Sequence, residues 1–119
     1  MGIARHGVVE GEGLPRISKV VVHGDTAYVL GVTSDPVGDV RAQTRQVLDR
    51  IDKLLASVGS SKSKVLSAQV WLTAMADFAA HNSVWNEWVD PANAPVRACV
   101  GATLFRPGLL VEIMVVAAR

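Results

Sequence analysis

Apolar residues in the first third of the chain fall in short β-branched runs separated by glycine. Residues 3–9 (IARHGVV) read as a strand, Gly7, Gly11 and Gly13 break the pattern, and residues 17–23 form a second run. Gly24-Asp25 is a turn dipeptide, and strand composition resumes over 26–33, so these two runs are predicted to close as a tight hairpin. Residues 34–39 are dense in turn formers, with Asp39 placed to cap a helix. The period then changes. Val40, Thr44, Val47, Leu48, Ile51, Leu54, Leu55 and Val58 recur at spacings of three and four, while Arg41, Arg45, Asp49, Arg50, Asp52 and Lys53 occupy the other arc. That is an amphipathic helix, ended by Gly59.

Past the polar loop 60–64, Leu66, Ala68, Val70 and Leu72 alternate with Ser67, Gln69, Trp71 and Thr73, the period of a strand with one face on a core. A second helix is predicted from near Met75, burying Phe78, Trp85, Val89 and either Ala79 or Asn82. Asp90-Pro91 closes it, because a residue before proline avoids helical dihedrals. Residues 96–104 and 109–118 read as two strands joined in a hairpin by 105–108. The order β-β-β-α-β-α-β-β has no repeat and no linker. It predicts a single α+β domain over residues 1–119, a six-stranded sheet with two helices on one face. The other face then needs water or a second subunit.

Composition sharpens that last point. Half the residues are apolar and only 19% are charged, so some apolar surface is expected between subunits. Twelve Lys and Arg face eleven Asp and Glu with no basic run, which argues against nucleic acid as a partner. The apolar stretch 109–118 is far short of the roughly 18 residues a bilayer span needs, and it contains Glu112, so no membrane partner is expected. A single cysteine, Cys99, excludes an internal disulfide. The start Met1-Gly2-Ile3-Ala4-Arg5-His6 lacks the apolar centre of a secretory signal, and a cytoplasmic setting is expected. His6, His23 and His81 show no metal-ligand spacing, so no metal is expected, and Gly11-Glu12-Gly13 lacks the rest of a phosphate loop.

Candidate chemistry comes from strand parity. Arg97, Cys99, Gly101 and Thr103 share one face of their strand, and Leu110, Glu112, Met114 and Val116 share one face of the next. If the two close as a hairpin with Leu104 opposite Leu109, Glu112 faces Gly101 beside Arg97 and Cys99. A guanidinium can hold a carboxylate bidentately, a carboxylate can orient or deprotonate water, and a missing side chain leaves room for a ligand. An Arg and a Glu on neighbouring strands are nevertheless more often an ordinary ion pair, and parity alone leaves both readings open. Cys99 has no evident base partner, and Trp71 is expected to border a central cavity.

The segment Pro95-Val96-Arg97-Ala98-Cys99-Val100, Val111-Glu112-Ile113 with its Glu fifteen residues beyond Arg97, Asp39-Val40-Arg41-Ala42-Gln43-Thr44 and Asp77-Phe78-Ala79-Ala80-His81-Asn82 together resemble the RidA (YjgF-type) family, in order and over nearly the whole chain. Gly59-Ser60-Ser61-Lys62-Ser63, and Trp85-Asn86-Glu87-Trp88-Val89 leading into Ala94-Pro95, are similar to its YoaB-like branch. The resemblance implies a chorismate-mutase-like fold assembled as a homotrimeric barrel with clefts between subunits. It also implies cofactor-free hydrolysis of 2-enamino or 2-imino acids, such as 2-aminoacrylate, to 2-keto acids and ammonia. On that resemblance Arg97 binds the substrate carboxylate, Glu112 positions the attacking water, and Cys99, Gly31 and Ile17 line the cleft. Archetypal members carry a Tyr and a Ser where this chain has Ile17 and Leu30, which is expected to alter substrate shape and rate. A keto-acid binding or sensor protein without turnover is the alternative on the same cleft. A ribonuclease label has attached to family members, and the near-neutral charge argues against it here.

Overall fold

In a computed structural model that describes residues 2–119, the elements follow the order read from the periodicity. Met1, part of the N-terminal segment considered above, lies outside the described residues. The strands are β1 (Ile3–His6), β2 (Val20–His23), β3 (Thr26–Val29), β4 (Val65–Leu72), β5 (Val96–Gly101) and β6 (Val111–Ala118). The helices are α1 (Val40–Ala56) and α2 (Phe78–Trp88), with single 3-10 turns at Lys62–Lys64 and Met75–Asp77. Asp39 caps α1 as expected, its carboxylate accepting the Ala42 N–H at 2.9 Å. The β2–β3 hairpin closes on Gly24-Asp25 with His23 opposite Thr26. Gly24 there takes φ +61°, which suits glycine at the first central position of a primed turn.

The strand order is β1-β2-β3-β6-β4-β5, and it overturns the expected C-terminal hairpin. β5 lies parallel to β4 at the sheet edge, whereas β6 is inserted between β3 and β4, antiparallel to both. The cause is the crossover. α2 carries the chain back along β4, so β5 must run parallel to it. The following segment then passes over β4 and delivers β6 to its far side. Burial favours this arrangement: Val111, Ile113, Val115 and Ala117 of β6 are all buried, while β5 has no buried residue. Alternation told which face the residues of β5 and β6 occupy, but not which strand lies next to them; in β4 it failed at Leu66, expected on the core face but left exposed by the register shift between Val65 and Ser67, which buries Val65 instead.

Both helices cover one face. Val47, Leu48, Ile51 and Leu55 of α1 join Val70, Leu72, Val111, Ile113 and Val115 in one core. The stripe of α2 differs from expectation: His81, Val84 and Trp85 are buried, and Phe78 is exposed. Counting only apolar positions missed His81, which completes an i, i+3, i+4 face. The opposite face of the sheet is uncovered and largely apolar, with Tyr28, Val96, Val100 and Met114 exposed on it. The molecule is accordingly a slab of 44 × 43 × 20 Å. Among the described residues no helix is long and apolar enough to cross a membrane.

Gln43 joins the helix layer to the segment entering β6. Fully buried, it donates to Gly108 O at 2.8 Å and Gly38 O at 3.3 Å, and its Oε1 accepts from Leu110 N at 2.9 Å. Replacing it by leucine keeps the volume but orphans these backbone groups. Gln43→Leu is therefore expected to destabilise the fold by about 2 kcal/mol in urea titration.

Candidate functional site

β5 brings the first half of the site to the sheet edge. Its register sets Arg97 beside Ala68 and Cys99 beside Val70, both buried under the helices, so Arg97 and Cys99 lie on the helix-covered face. There α2 forms a cradle for the guanidinium. One terminal nitrogen donates to Asn82 Oδ1 at 2.6 Å and the other contacts His81 Nε2 at 3.2 Å. The guanidinium carbon stands 5.0 Å from the Trp85 ring centroid and 6.0 Å from that of Phe78, positions that α-helical spacing puts on one side of α2. The ion pairs among the described residues are Arg16–Glu10, Arg50–Asp35 and Lys53–Asp49; none involves Arg97. Arg97 is thus a half-buried cation held entirely by neutral groups. Burial pushes the Cys99 thiol up, with the Arg97 charge acting the other way.

The hydrogen bonds settle the state of His81. A guanidinium can only donate, so Nε2 must accept; the proton sits on Nδ1, which donates to Thr44 Oγ1 at 3.0 Å. Burial, reinforced by the Arg97 charge, brings this histidine down from 6.5 to about 4. It is neutral at physiological pH.

β6 carries the second half. Glu112 pairs with Trp71 of β4, which puts its carboxylate on the uncovered face, opposite to Arg97. It rests against Gly31, where a Cβ would collide with its Oε2. Gly31 is needed there for space. Burial raises the Glu112 carboxyl above its ordinary value. Ile17, Tyr28, Leu30, Gly31 and Met114 line a shallow cavity of about 320 Å³ on the same face.

The predicted residues therefore divide into two groups. Arg97 and Cys99 occupy one face at the edge strand, and Glu112, Gly31 and Ile17 occupy the other. The expected convergence of Glu112 and Arg97 around Gly101 does not occur in one chain. Gly101 lies beside Leu72 instead, with the Met75 Cγ 3.5 Å from where its Cβ would be. The parity argument failed because it assumed that β5 and β6 were partners. His81, Asn82 and Trp85 were missed as neighbours of Arg97; the Asp77–Asn82 segment was noticed in the sequence, but nothing there aims it at β5.

The family model described as endoribonuclease L-PSP matches residues 13–119. The chain belongs to this family, the RidA/YjgF proteins. It is 44% identical over 103 residues to the RutC family protein YoaB of Escherichia coli, covering 87% of this chain and 90% of that one, and it falls in the YoaB-like branch. A solved YjgF family member from Neisseria meningitidis superposes with a TM-score of 0.93 at 37% identity, covering 100% of this chain and 96% of the other. A protein of Acinetobacter baylyi named 3-aminoacrylate deaminase RutC is 41% identical over 81 residues, covering 68% of this chain and 64% of its own. Within this RidA/YjgF chain the two half-sites carry a cation without an anion and a carboxylate without a cation.

The depressed His81 has a measurable consequence. Between pH 6.5 and about 4 the unfolded chain takes up a proton that the folded chain refuses, so stability falls as pH falls across that window. The slope is at most about 1.4 kcal/mol per pH unit. Urea titrations of wild type and His81→Gln at several pH values should show this component in wild type and its loss in the variant.

Proposed function

We propose that the chain catalyses cofactor-free hydrolytic deamination of 2-enamino and 2-imino acids, such as 2-aminoacrylate, in clefts between the subunits of a homotrimer. The observation that carries this reading is the Arg97 guanidinium, oriented by neutral partners and paired with no acid among the described residues. Such a group is an anchor for the carboxylate of a small substrate. The deaminase named for a related protein also acts on a carboxylate-bearing enamine.

The division of the site supports the assembly. Arg97 and Glu112 lie on opposite faces of one sheet, so a shared cleft requires the β5 edge of one copy to meet the uncovered face of the next. The exposed apolar residues of that face suit such burial, and a head-to-tail contact of this kind closes into a ring. The domain 1–119 is then the repeating unit. Arg97 and Cys99 come from one subunit, and Glu112, Gly31 and Ile17 from its neighbour.

In that cleft the enamine tautomerises to the imine. Arg97 fixes the carboxylate, and Glu112 holds a water against the imine carbon and accepts a proton as the C–O bond forms. Glu112 returns that proton to nitrogen to give the carbinolamine; transfer of the remaining proton from its hydroxyl to nitrogen then lets ammonia leave as the C–N bond breaks and the C=O bond forms, and the 2-keto acid remains. A raised carboxyl suits this give and take. Ile17 and Leu30 make the wall beside Glu112 apolar, which favours one competing reading, a keto-acid binder without turnover. Ammonia release decides between the two.

Freshly generated 2-imino acids should release ammonia faster with the protein than without it; no acceleration overturns the enzymatic reading. Arg97→Ala is expected to lower kcat/KM by about 100-fold, chiefly through KM, as a charge-assisted pair is lost. Glu112→Gln should lower kcat, and the wild-type rate should fall as pH drops through a value above the ordinary 4.5 of a glutamate.

Mixing the two impaired variants, assayed at substrate far below KM, tests the shared cleft. Random exchange of subunits would pair an intact Arg97 with an intact Glu112 in about one cleft in four, so activity should return. A site contained in one subunit would stay silent.

A further inference from the structure

We propose that His81 is the positioning residue of the Arg97 anchor: a neutral histidine, locked by Thr44, that aims the guanidinium at a substrate carboxylate without cancelling its charge. The inference rests on the reading of Arg97 as that anchor.

His81 and Thr44 are both 0% exposed, and they connect three elements in a line: α1 through Thr44, α2 through His81 and β5 through Arg97. Each bond in the line has a fixed direction. Arg97 donates to Nε2, and Nδ1 donates to Thr44 Oγ1. Thr44 therefore selects the tautomer that offers Arg97 an acceptor, as the orienting partner of a catalytic or metal-bound histidine does.

An aspartate or glutamate in place of His81 could hold the guanidinium equally well, but it would be an internal counter-ion that an incoming carboxylate must displace. His81 and the Asn82 amide oxygen restrain Arg97 and leave its full charge for a ligand.

Among the described residues the charged group that faces His81 is Arg97 of β5, whose own titratable neighbour on that strand is Cys99. α1 meets His81 with Thr44, while Arg41 is engaged with Ser83 Oγ at 3.4 Å. Among the described residues the partners of His81 are Thr44 and Arg97, and no acid contacts it to stabilise an imidazolium. Protonation would turn the acceptor into a donor and set a second cation against the guanidinium, which disengages the anchor in acid.

The test is the affinity of the full-length protein for 2-oxobutanoate, measured by calorimetry at pH 7 and at steps down to pH 4, with folding of each variant checked by circular dichroism. His81→Gln, which can accept from Arg97 and donate to Thr44 without titrating, should bind within about threefold of wild type and lose less affinity in acid. His81→Leu, which removes the acceptor, should weaken binding about tenfold or more. His81→Glu should weaken it at least as much although Arg97 remains held; this variant decides the point should His81→Leu not fold.

Wild-type affinity in His81→Leu, or undiminished affinity in His81→Glu, overturns the proposal. Arg97→Ala measured alongside separates the two levels. Loss of binding there with no loss in His81→Leu sinks only the positioning role, whereas no loss in Arg97→Ala sinks the anchor and the positioning role together.

Discussion

β6 is hydrogen-bonded along both sides, to β3 and to β4, and the rest of the molecule is arranged around that double pairing. It joins the N-terminal meander β1-β2-β3 to the β4-α2-β5 unit in one sheet, although it is the last element made. Because side chains alternate, the same strand sends Val111, Ile113, Val115 and Ala117 beneath the helices and Glu112, Met114 and Val116 to the uncovered side. One strand therefore serves the core and the candidate site at once. A slip of a single residue would exchange the two sets and remove both.

Much of this was legible in the sequence. The periods pointed to every strand and both α-helices, the Gly24-Asp25 turn to the first hairpin and Asp39 to the cap, and alternation assigned the faces of β6 and of β4 from Ala68 onward; Leu66 was misassigned because the register shift beside it cannot be seen in the pattern. Pairing was not legible. A strand following another after a short polar turn reads as its antiparallel partner, and nothing local to residues 96–118 reports that β4 competes for both. The candidate site inherited that error. Arg97, Cys99 and Glu112 were the residues to watch, yet their supposed common face dissolved once β5 and β6 were separated. The cradle of Arg97 was hidden for a different reason: a buried polar group such as His81 interrupts a hydrophobic stripe on paper while completing it in space.

The electrostatic character of the chain follows from where charges are left without partners. Its ion pairs among the described residues all lie on exposed surface, where they contribute little to stability. Two half-buried ionisable groups, Arg97 and Glu112, are kept apart by the thickness of the sheet. Burial disfavours the charged form of each, and neither is relieved by the other. In a solitary domain this would be a poor arrangement. It makes sense for groups whose counterparts arrive from outside.

The position of β5 has a similar meaning for the life of the chain. It is a six-residue edge strand whose only charged side chain is folded under α2, and its outer backbone groups are unpaired. Natural sheets commonly guard such an edge with lysine, proline or a bulge; here Pro95 stands just before the strand and nothing guards its middle. The edge also borders a bare apolar sheet face. A copy standing alone thus carries two adjoining adhesive surfaces, and the proposed ring, by covering both at once, would remove its two routes to indiscriminate sticking.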